Sequence, residues 1–199
     1  SGNTSGHEDL VNNTKYEYEY DTTGRAVRSV MFDRATGERI QESGWEYDLN
    51  NNVVKDVHIL KGTPLVTEYE YGKDNLLTKT VLPTGANIEN TFDGLNRMTE
   101  RKLNITDSVN KSTTYAYKTP DASVDGSNTT TQIASETTDD ITTSYEYDVV
   151  GNITKIYENN ALMYAYEYDA LNQLTLECDV EQGTETRYTY DNGGNITNK

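Results

Sequence analysis

The most regular feature of the chain is an alternation of aromatic and charged residues. In residues 145–148 two tyrosines flank Glu146, and an aspartate follows them. Successive side chains of a β-strand point to opposite faces, so both rings share one face and the glutamate faces water. This pattern predicts a strand that ends at a turn.

The segment after each turn predicts a second strand. Leu174, Leu176 and Cys178 alternate with polar residues, so we expect these three side chains on one face. Ile153 and Tyr157 are likewise expected to share a face. Two such strands joined by a turn of four or five residues form a β-hairpin.

The aromatic phrase occurs eight times, with successive copies 21 to 30 residues apart. The longest gap contains residues 121–131, a Ser/Thr/Asn/Gly run that predicts a long exposed loop near 119–132. We expect the recurring rings to be buried, to stack from hairpin to hairpin and to form the core. These packing aromatics are Tyr18, Tyr20, Trp45, Tyr47, Tyr69, Tyr71, Phe92, Tyr115, Tyr117, Tyr145, Tyr147, Tyr166, Tyr168, Tyr188 and Tyr190.

An aspartate followed three residues later by Gly or Asn marks most of the turns. The carboxylate can accept hydrogen bonds from nearby backbone N–H groups, and Gly and Asn tolerate a positive φ. We expect these turns to be exposed. The predicted turn residues are Asp21, Gly24, Asp48, Asn51, Asp93, Asn96, Asp148, Gly151, Asp169, Asn172, Asp191 and Gly194.

Tandem hairpins predict an all-β protein with one long antiparallel sheet of about sixteen strands. A lone hairpin is marginally stable, so neighbouring hairpins must pair edge to edge. Sheets of this length twist and curl, which favours part of a spiral β-shell. The hairpin strip is assigned to residues 15–199 with a truncated last repeat, and residues 1–14 to an expression scar or disordered head.

Composition and charge narrow the function. The chain has 199 residues, of which 34% are hydrophobic, and 16 Tyr accompany 2 Phe and 1 Trp. Disordered chains have few aromatics, whereas Tyr and Thr favour strands. The net charge of -16 makes nucleic acid and anionic membranes poor partners, and no apolar run is long enough for a membrane-spanning helix.

Few residues could carry catalysis or bind a metal. His7 lies in the expected head, and His58 and Cys178 lie on predicted strands, so neither a catalytic set, a zinc site nor a cofactor site is predicted. Asp139 and Asp140 are interpreted as a solvated turn. The Asp- and Asn-rich turns offer oxygen ligands for calcium, but turn capping explains the same residues, and the two alternatives stay open.

The phrase Tyr-Glu-Tyr-Asp-Val-Val-Gly-Asn-Ile-Thr-Lys at residues 145–155 resembles the YD repeat of the Rhs (rearrangement hotspot) family. The resemblance covers about residues 16–199. The family includes bacterial Rhs polymorphic toxins, wall-associated proteins, the cocoons of insecticidal toxin complexes and the teneurins. It implies a hairpin strip that coils into a hollow shell, which in toxin members encloses a C-terminal effector.

The chain departs from complete toxins because its three prolines follow Thr63, Leu82 and Thr119, so it has no Asp-Pro motif. We therefore expect a non-enzymatic, shell-building fragment of a large secreted or cell-surface bacterial protein. Its partners would be the remaining repeats and the C-terminal effector, and its open strand edges would favour self-association. The alternative is a wall-attached adhesin whose repeats bind carbohydrate or a protein.

Overall fold

The computed structural model describes residues 3–106, 108–119 and 131–199, and it is built from β-hairpins. Each strand pairs with the next along the chain from β1 to β16, which gives one antiparallel sheet of sixteen strands, and β17 pairs with β18. The prediction of an all-β fold with a sixteen-stranded antiparallel sheet is confirmed. The strands are β1 (Thr4–Asp9), β2 (Thr14–Tyr20), β3 (Ala26–Asp33), β4 (Arg39–Tyr47), β5 (Val53–Leu60), β6 (Thr63–Tyr71), β7 (Leu77–Val81), β8 (Asn87–Phe92), β9 (Met98–Thr106), β10 (Val109–Tyr117), β11 (Ile133–Thr138), β12 (Ile141–Tyr147), β13 (Ile153–Glu158), β14 (Ala161–Tyr168), β15 (Leu174–Asp179), β16 (Thr184–Arg187), β17 (Thr189–Tyr190) and β18 (Ile196–Asn198).

The chain divides into two compact units. The first contains Ser1–Thr91 and Lys102–Asn110, and the second contains Phe92–Arg101 and Lys111–Lys199. In the described residues the one helical segment is a 3-10 turn at Lys73–Asn75. The same part of the chain holds no helix of the length and apolarity needed to cross a membrane.

The first strand lies in the segment that the sequence assigned to a head. Thr4–Asp9 pairs with β2, with Ser5 opposite Tyr18 and His7 opposite Tyr16. The His7 and Tyr16 rings stack with their centroids 6.4 Å apart. The expectation of a disordered head therefore does not hold for Thr4–Asp9, because its backbone pairs with that of the first tyrosine strand.

A register shift recurs immediately before the second aromatic of the phrase. Glu167 lies opposite Leu176 whereas Tyr168 lies opposite Leu174, so the return strand contains one extra residue. This is a β-bulge, which increases the local twist of the sheet. The same shift occurs at Glu19/Tyr20, Glu46/Tyr47, Glu70/Tyr71, Ala116/Tyr117, Glu146/Tyr147 and Thr189/Tyr190.

The bulge corrects the faces predicted for the return strands. Leu174 does not share a face with Leu176 and Cys178, because the extra residue separates them. Ile153 and Tyr157 are also on different faces, since they lie opposite Tyr147 and Ser144. Strict alternation was a wrong assumption across this one position of each repeat.

Two of the most buried aliphatic side chains lie on the face that carries the glutamates of the aromatic phrases, which we call the glutamate face. Val30 is 2% exposed and lies opposite Glu17, and Leu176 is 8% exposed and lies opposite Glu167. The aromatic side chains lie on the other face and are half-buried. Apolar packing is thus shared between both faces of the strands.

Some strands are joined by very short connections. Asp139 and Asp140 form the exposed two-residue connection between β11 and β12. Most of the predicted long loop, residues 120–130, lies outside the described residues. At its base the backbone N–H of Lys118 donates to the carbonyl of Gln132 at 3.0 Å.

Replacing Leu176 with Ala should lower the free energy of unfolding by about 2 to 3 kcal/mol, because it removes buried methyl groups and leaves a cavity. Leu171→Ala is the matched control in the same repeat: Leu171 is 77% exposed, and the change should stay within about 0.5 kcal/mol. Chemical denaturation measures both. Equal effects would contradict the assignment of Leu176 to the core.

Candidate functional site: tyrosine latches and aspartate turns

The fifteen predicted packing aromatics are all half-buried, so the rings are neither enclosed nor free in solvent. Rings in contact mostly follow one another along a strand: Tyr16 and Tyr18 have centroids 6.3 Å apart, and Tyr145 and Tyr147 are 6.4 Å apart. The expected stacking from hairpin to hairpin is not the arrangement found among the described rings. Other contacts join the hairpins.

The hydroxyl of the second tyrosine makes the recurring contact between hairpins. It donates a hydrogen bond to the backbone carbonyl of the residue that begins the return strand of the preceding hairpin. We call this contact the tyrosine latch. Among the residues that the structure describes there are five latches: Tyr47 to Ala26, Tyr117 to Met98, Tyr147 to Ile133, Tyr168 to Ile153 and Tyr190 to Leu174, at 2.7 to 2.9 Å.

In one repeat a different side chain donates to the carbonyl at the latch position. Phe92 has no hydroxyl, but Asn90 on the same strand donates its Nδ2–H to the carbonyl of Leu77 at 3.0 Å. Leu77 is the first residue of β7, so its carbonyl occupies the latch position. A buried carbonyl without a donor is costly, which explains why a substitute occurs here.

A cation covers several of the latch rings. The guanidinium of Arg25 lies 4.7 Å from the centroid of Tyr47, and that of Arg97 lies 4.4 Å from Tyr117. Such contacts are favourable because the ring face is electronegative. These cation–π contacts add to the packing of half-buried rings.

The predicted turn aspartates share one geometry, in what we call the aspartate turns. Oδ1 accepts hydrogen bonds from the backbone N–H groups two and four residues later, at 2.8 to 3.0 Å. The residue three positions on has φ between 61° and 103°. These six turns are residues 21–25, 48–52, 93–97, 148–152, 169–173 and 191–195.

The second carboxylate oxygen of most of these aspartates bonds to the side chain four residues later. Nδ2 of Asn52 lies 2.9 Å from Oδ2 of Asp48, and Nε of Arg97 lies 2.7 Å from Oδ2 of Asp93. These side-chain hydrogen bonds lower the pKa of Asp48 and of Asp93. Hydrogen bonds from Asn195 lower the pKa of Asp191 in the same way. The turns of Asp48, Asp93 and Asp191 therefore favour an ionised carboxylate, which accepts the hydrogen bonds of its own backbone.

On the glutamate face, basic residues of the return strands lie between acidic neighbours. Arg28 pairs with Glu19 and, at 2.6 Å, with Glu42. Lys155 lies 3.0 Å from Glu146. Exposed pairs of this kind contribute little each, but they separate like charges in a chain of net charge -16.

The structure brings together one polar group that the sequence did not indicate. Oγ of Ser43 lies 2.8 Å from Nδ1 of His58, and Nε2 of His58 lies 3.2 Å from Oδ2 of Asp56. The residue types are those of a hydrolytic triad, but Ser43 is 6% exposed, which leaves its hydroxyl inaccessible to a substrate. The chain of contacts is a cross-strand polar network. No group of three or more His, Cys, Asp or Glu side chains in the described residues could hold a metal ion.

Comparison with known families gives a match near the end of the chain. Residues 168–198 match the family model described as RHS Repeat. This segment of the chain is an RHS repeat. The matched segment begins at a latch tyrosine and contains two aspartate turns, and the same phrase, bulge and turn recur through the earlier hairpins.

Two solved structures resemble the chain at low identity. They are the crystal structure of TcdB2-TccC3 without its hypervariable C-terminal region (15% identity, TM-score 0.46) and that of TcdB2-TccC3-TEV (14% identity, TM-score 0.44). Each match covers 99% of this chain and 15% of the other, so the chain spans a small part of the structures it resembles. Comparison with curated proteins gives no match.

Tyr168→Phe should lower the free energy of unfolding by about 1 kcal/mol, because the carbonyl of Ile153 loses its donor. Tyr166→Phe in the same strand is the control, since it removes a hydroxyl that makes no latch. Equilibrium denaturation should separate the two variants. Equal losses would show that the latch hydroxyl adds nothing to stability.

The free energy of unfolding should fall on acidification, because the turn aspartates become protonated. A carboxylate whose folded pKa lies below its unfolded value of about 3.9 stabilises the fold above that value, and the contribution is lost as pH falls through the folded pKa. The unfolding free energy should therefore decline from about pH 5 towards pH 2. A variant with Asp48, Asp93 and Asp191 changed to Asn should show a flatter decline in pH-dependent denaturation, and a parental slope would contradict this account.

Proposed function

We propose that the chain is a wall-building segment of a shell in a large secreted or cell-surface bacterial protein. In that protein the shell encloses and delivers a C-terminal toxin. The RHS repeat supports this role, and so do the latches, which join one hairpin to the next without a ligand. The remaining repeats and the effector of the full-length protein are the proposed partners.

The observation that carries the proposal is a set of exposed apolar side chains at the turn tips. Among the aspartate turns of the second unit, Val149 is 103% exposed, and Leu95 and Leu171 are also exposed. In the first unit, Leu49 follows its aspartate directly, as Val149 does, and it is equally exposed. Exposed apolar positions that recur in this way mark an interaction surface rather than isolated surface residues.

The opposite ends of the strands carry exposed apolar residues as well. Val11 and Leu60 are examples in the first unit, and Ile141 and Val180 in the second. Hairpin tips on one row are about 10 Å apart, because each repeat adds two strands to the sheet. A second row of hairpin ends has the same spacing and can cover these tips, which is how successive layers of one shell wall would meet.

We propose that the chain itself has no enzymatic activity. The one triad-like group, Ser43 with His58 and Asp56, has an inaccessible hydroxyl. The role of the packing aromatics and turn residues in this proposal is structural: they hold hairpins at a fixed spacing so that the tips form a regular row.

A second candidate is an adhesin whose repeats bind carbohydrate or a protein. The half-exposed ring of Trp45 favours it, because an accessible aromatic face can stack on a sugar ring. Binding of the chain to a glycan array that is lost in Trp45→Ala, with the fold intact by circular dichroism, would support the adhesin over a purely structural role.

The shell proposal is tested in the full-length protein by changing Leu49 and Leu171 together to Asp. Charged tips should prevent the layers from meeting, so limited proteolysis should degrade the C-terminal effector faster than in the parent. Thr22→Asp is the control, because it adds charge at an exposed tip without removing an apolar side chain. Unchanged protection in the double variant, with both proteins folded, would contradict the proposal.

A further inference from the structure

In several aspartate turns the side chain of the residue four positions after the aspartate reaches the next turn at the same end of the strands. In the second unit Nδ2 of Asn152 donates to Oδ1 of Asn172 at 3.1 Å, and in the first unit Nδ2 of Asn52 donates to Oδ1 of Asn75 at 3.2 Å. Asn172 and Asn75 both have a positive φ. The contact therefore joins the last residue of one turn to the left-handed residue of the next.

At two turns where the left-handed residue is glycine, the side chain that reaches it from the preceding turn is a glutamine. A Cβ added to Gly151 would lie 3.2 Å from Nε2 of Gln132, and a Cβ added to Gly194 would lie 3.2 Å from Nε2 of Gln173. The end of the longer amide thus lies against the space that an asparagine would fill. Two asparagine side chains fill the gap between turns in the first arrangement, and one glutamine side chain fills it in the second.

From these contacts we propose that the reaching side chain selects the neighbouring hairpin: asparagine matches a left-handed asparagine, and glutamine matches a left-handed glycine. The shorter Asn side chain needs an Asn at the left-handed position to complete the hydrogen bond. The longer Gln side chain fits only where the left-handed residue has no side chain. Wrong combinations leave either an unfilled gap or a steric overlap, and both are unfavourable.

A longer cation follows a variant of the same rule. Arg25 bonds through Nη1 to Oδ1 of Asn51 at 2.8 Å, although its side chain is longer than that of Asn. Its Nε is held by Oδ2 of Asp21 at 2.6 Å, which shortens its reach towards the next turn. The size of the gap between two turns therefore decides which side chain fits there.

This selection does not depend on the proposed shell function. It concerns which RHS-type hairpin can lie beside which, whether both belong to this chain or to different proteins. The partner that fits the turn ending in Gln173 is a hairpin with glycine at the left-handed position, and the partner that fits Asn152 is one with asparagine.

A double-mutant cycle at residues 173 and 194 tests the rule in the complete chain. Gly194→Asn should lower the thermal midpoint, and the loss should shrink when Gln173→Asn is added, because the pair then matches that of Asn152 and Asn172. Gly24→Asn is the control for placing Asn at a positive φ, since φ is +87° there and +81° at Gly194, and nothing lies within 4 Å of its added Cβ.

The reverse cycle places the glycine pairing in the interior of the second unit. Asn152→Gln should lower the thermal midpoint, and adding Asn172→Gly should recover part of the loss. Amide hydrogen exchange of residues 189–198 gives a local readout for the first cycle if the global midpoint does not move. Additive effects in both cycles, or a Gly194→Asn loss no larger than that of Gly24→Asn in both readouts, would overturn the rule.

Discussion

The hydrogen bond from a tyrosine hydroxyl to the carbonyl that begins the preceding return strand is the contact on which the repeat depends. At this point the ladder between neighbouring hairpins ends. Tyr147 and Tyr168 each supply one, and Asn90 does so where Phe92 cannot. The tyrosine hydroxyl thus joins its strand to the return strand of the preceding hairpin.

The aspartate turns perform the corresponding task within each hairpin. One oxygen of Asp148 binds the backbone N–H groups of Val150 and Asn152, and the other accepts from the Asn152 side chain. The same Asn152 reaches Asn172 in the next turn. A carboxylate that organises its own turn thus also positions the side chain that meets the neighbour. This coupling lets a chain with few fully buried residues keep a regular sheet.

The repeated phrase was sufficient to predict tandem hairpins and the sixteen-stranded sheet, because its period and its turn residues are local properties. The bulge beside Tyr168 was missed, since alternation carries no sign of one extra residue. The latch was missed because Tyr and Phe are equivalent as packing rings, although the preference for Tyr was a usable signal. The strand Thr4–Asp9 was missed because it contains no Tyr, Phe or Trp and is specified by pairing with β2.

The central claim is that the latch hydroxyls, more than the rings, join the hairpins. The most direct test is equilibrium unfolding of a variant in which the five latch tyrosines, Tyr47, Tyr117, Tyr147, Tyr168 and Tyr190, are all replaced by Phe. Every ring is kept and five carbonyl donors are lost, so the free energy of unfolding should fall by roughly 5 kcal/mol. A variant as stable as the parent would contradict the account.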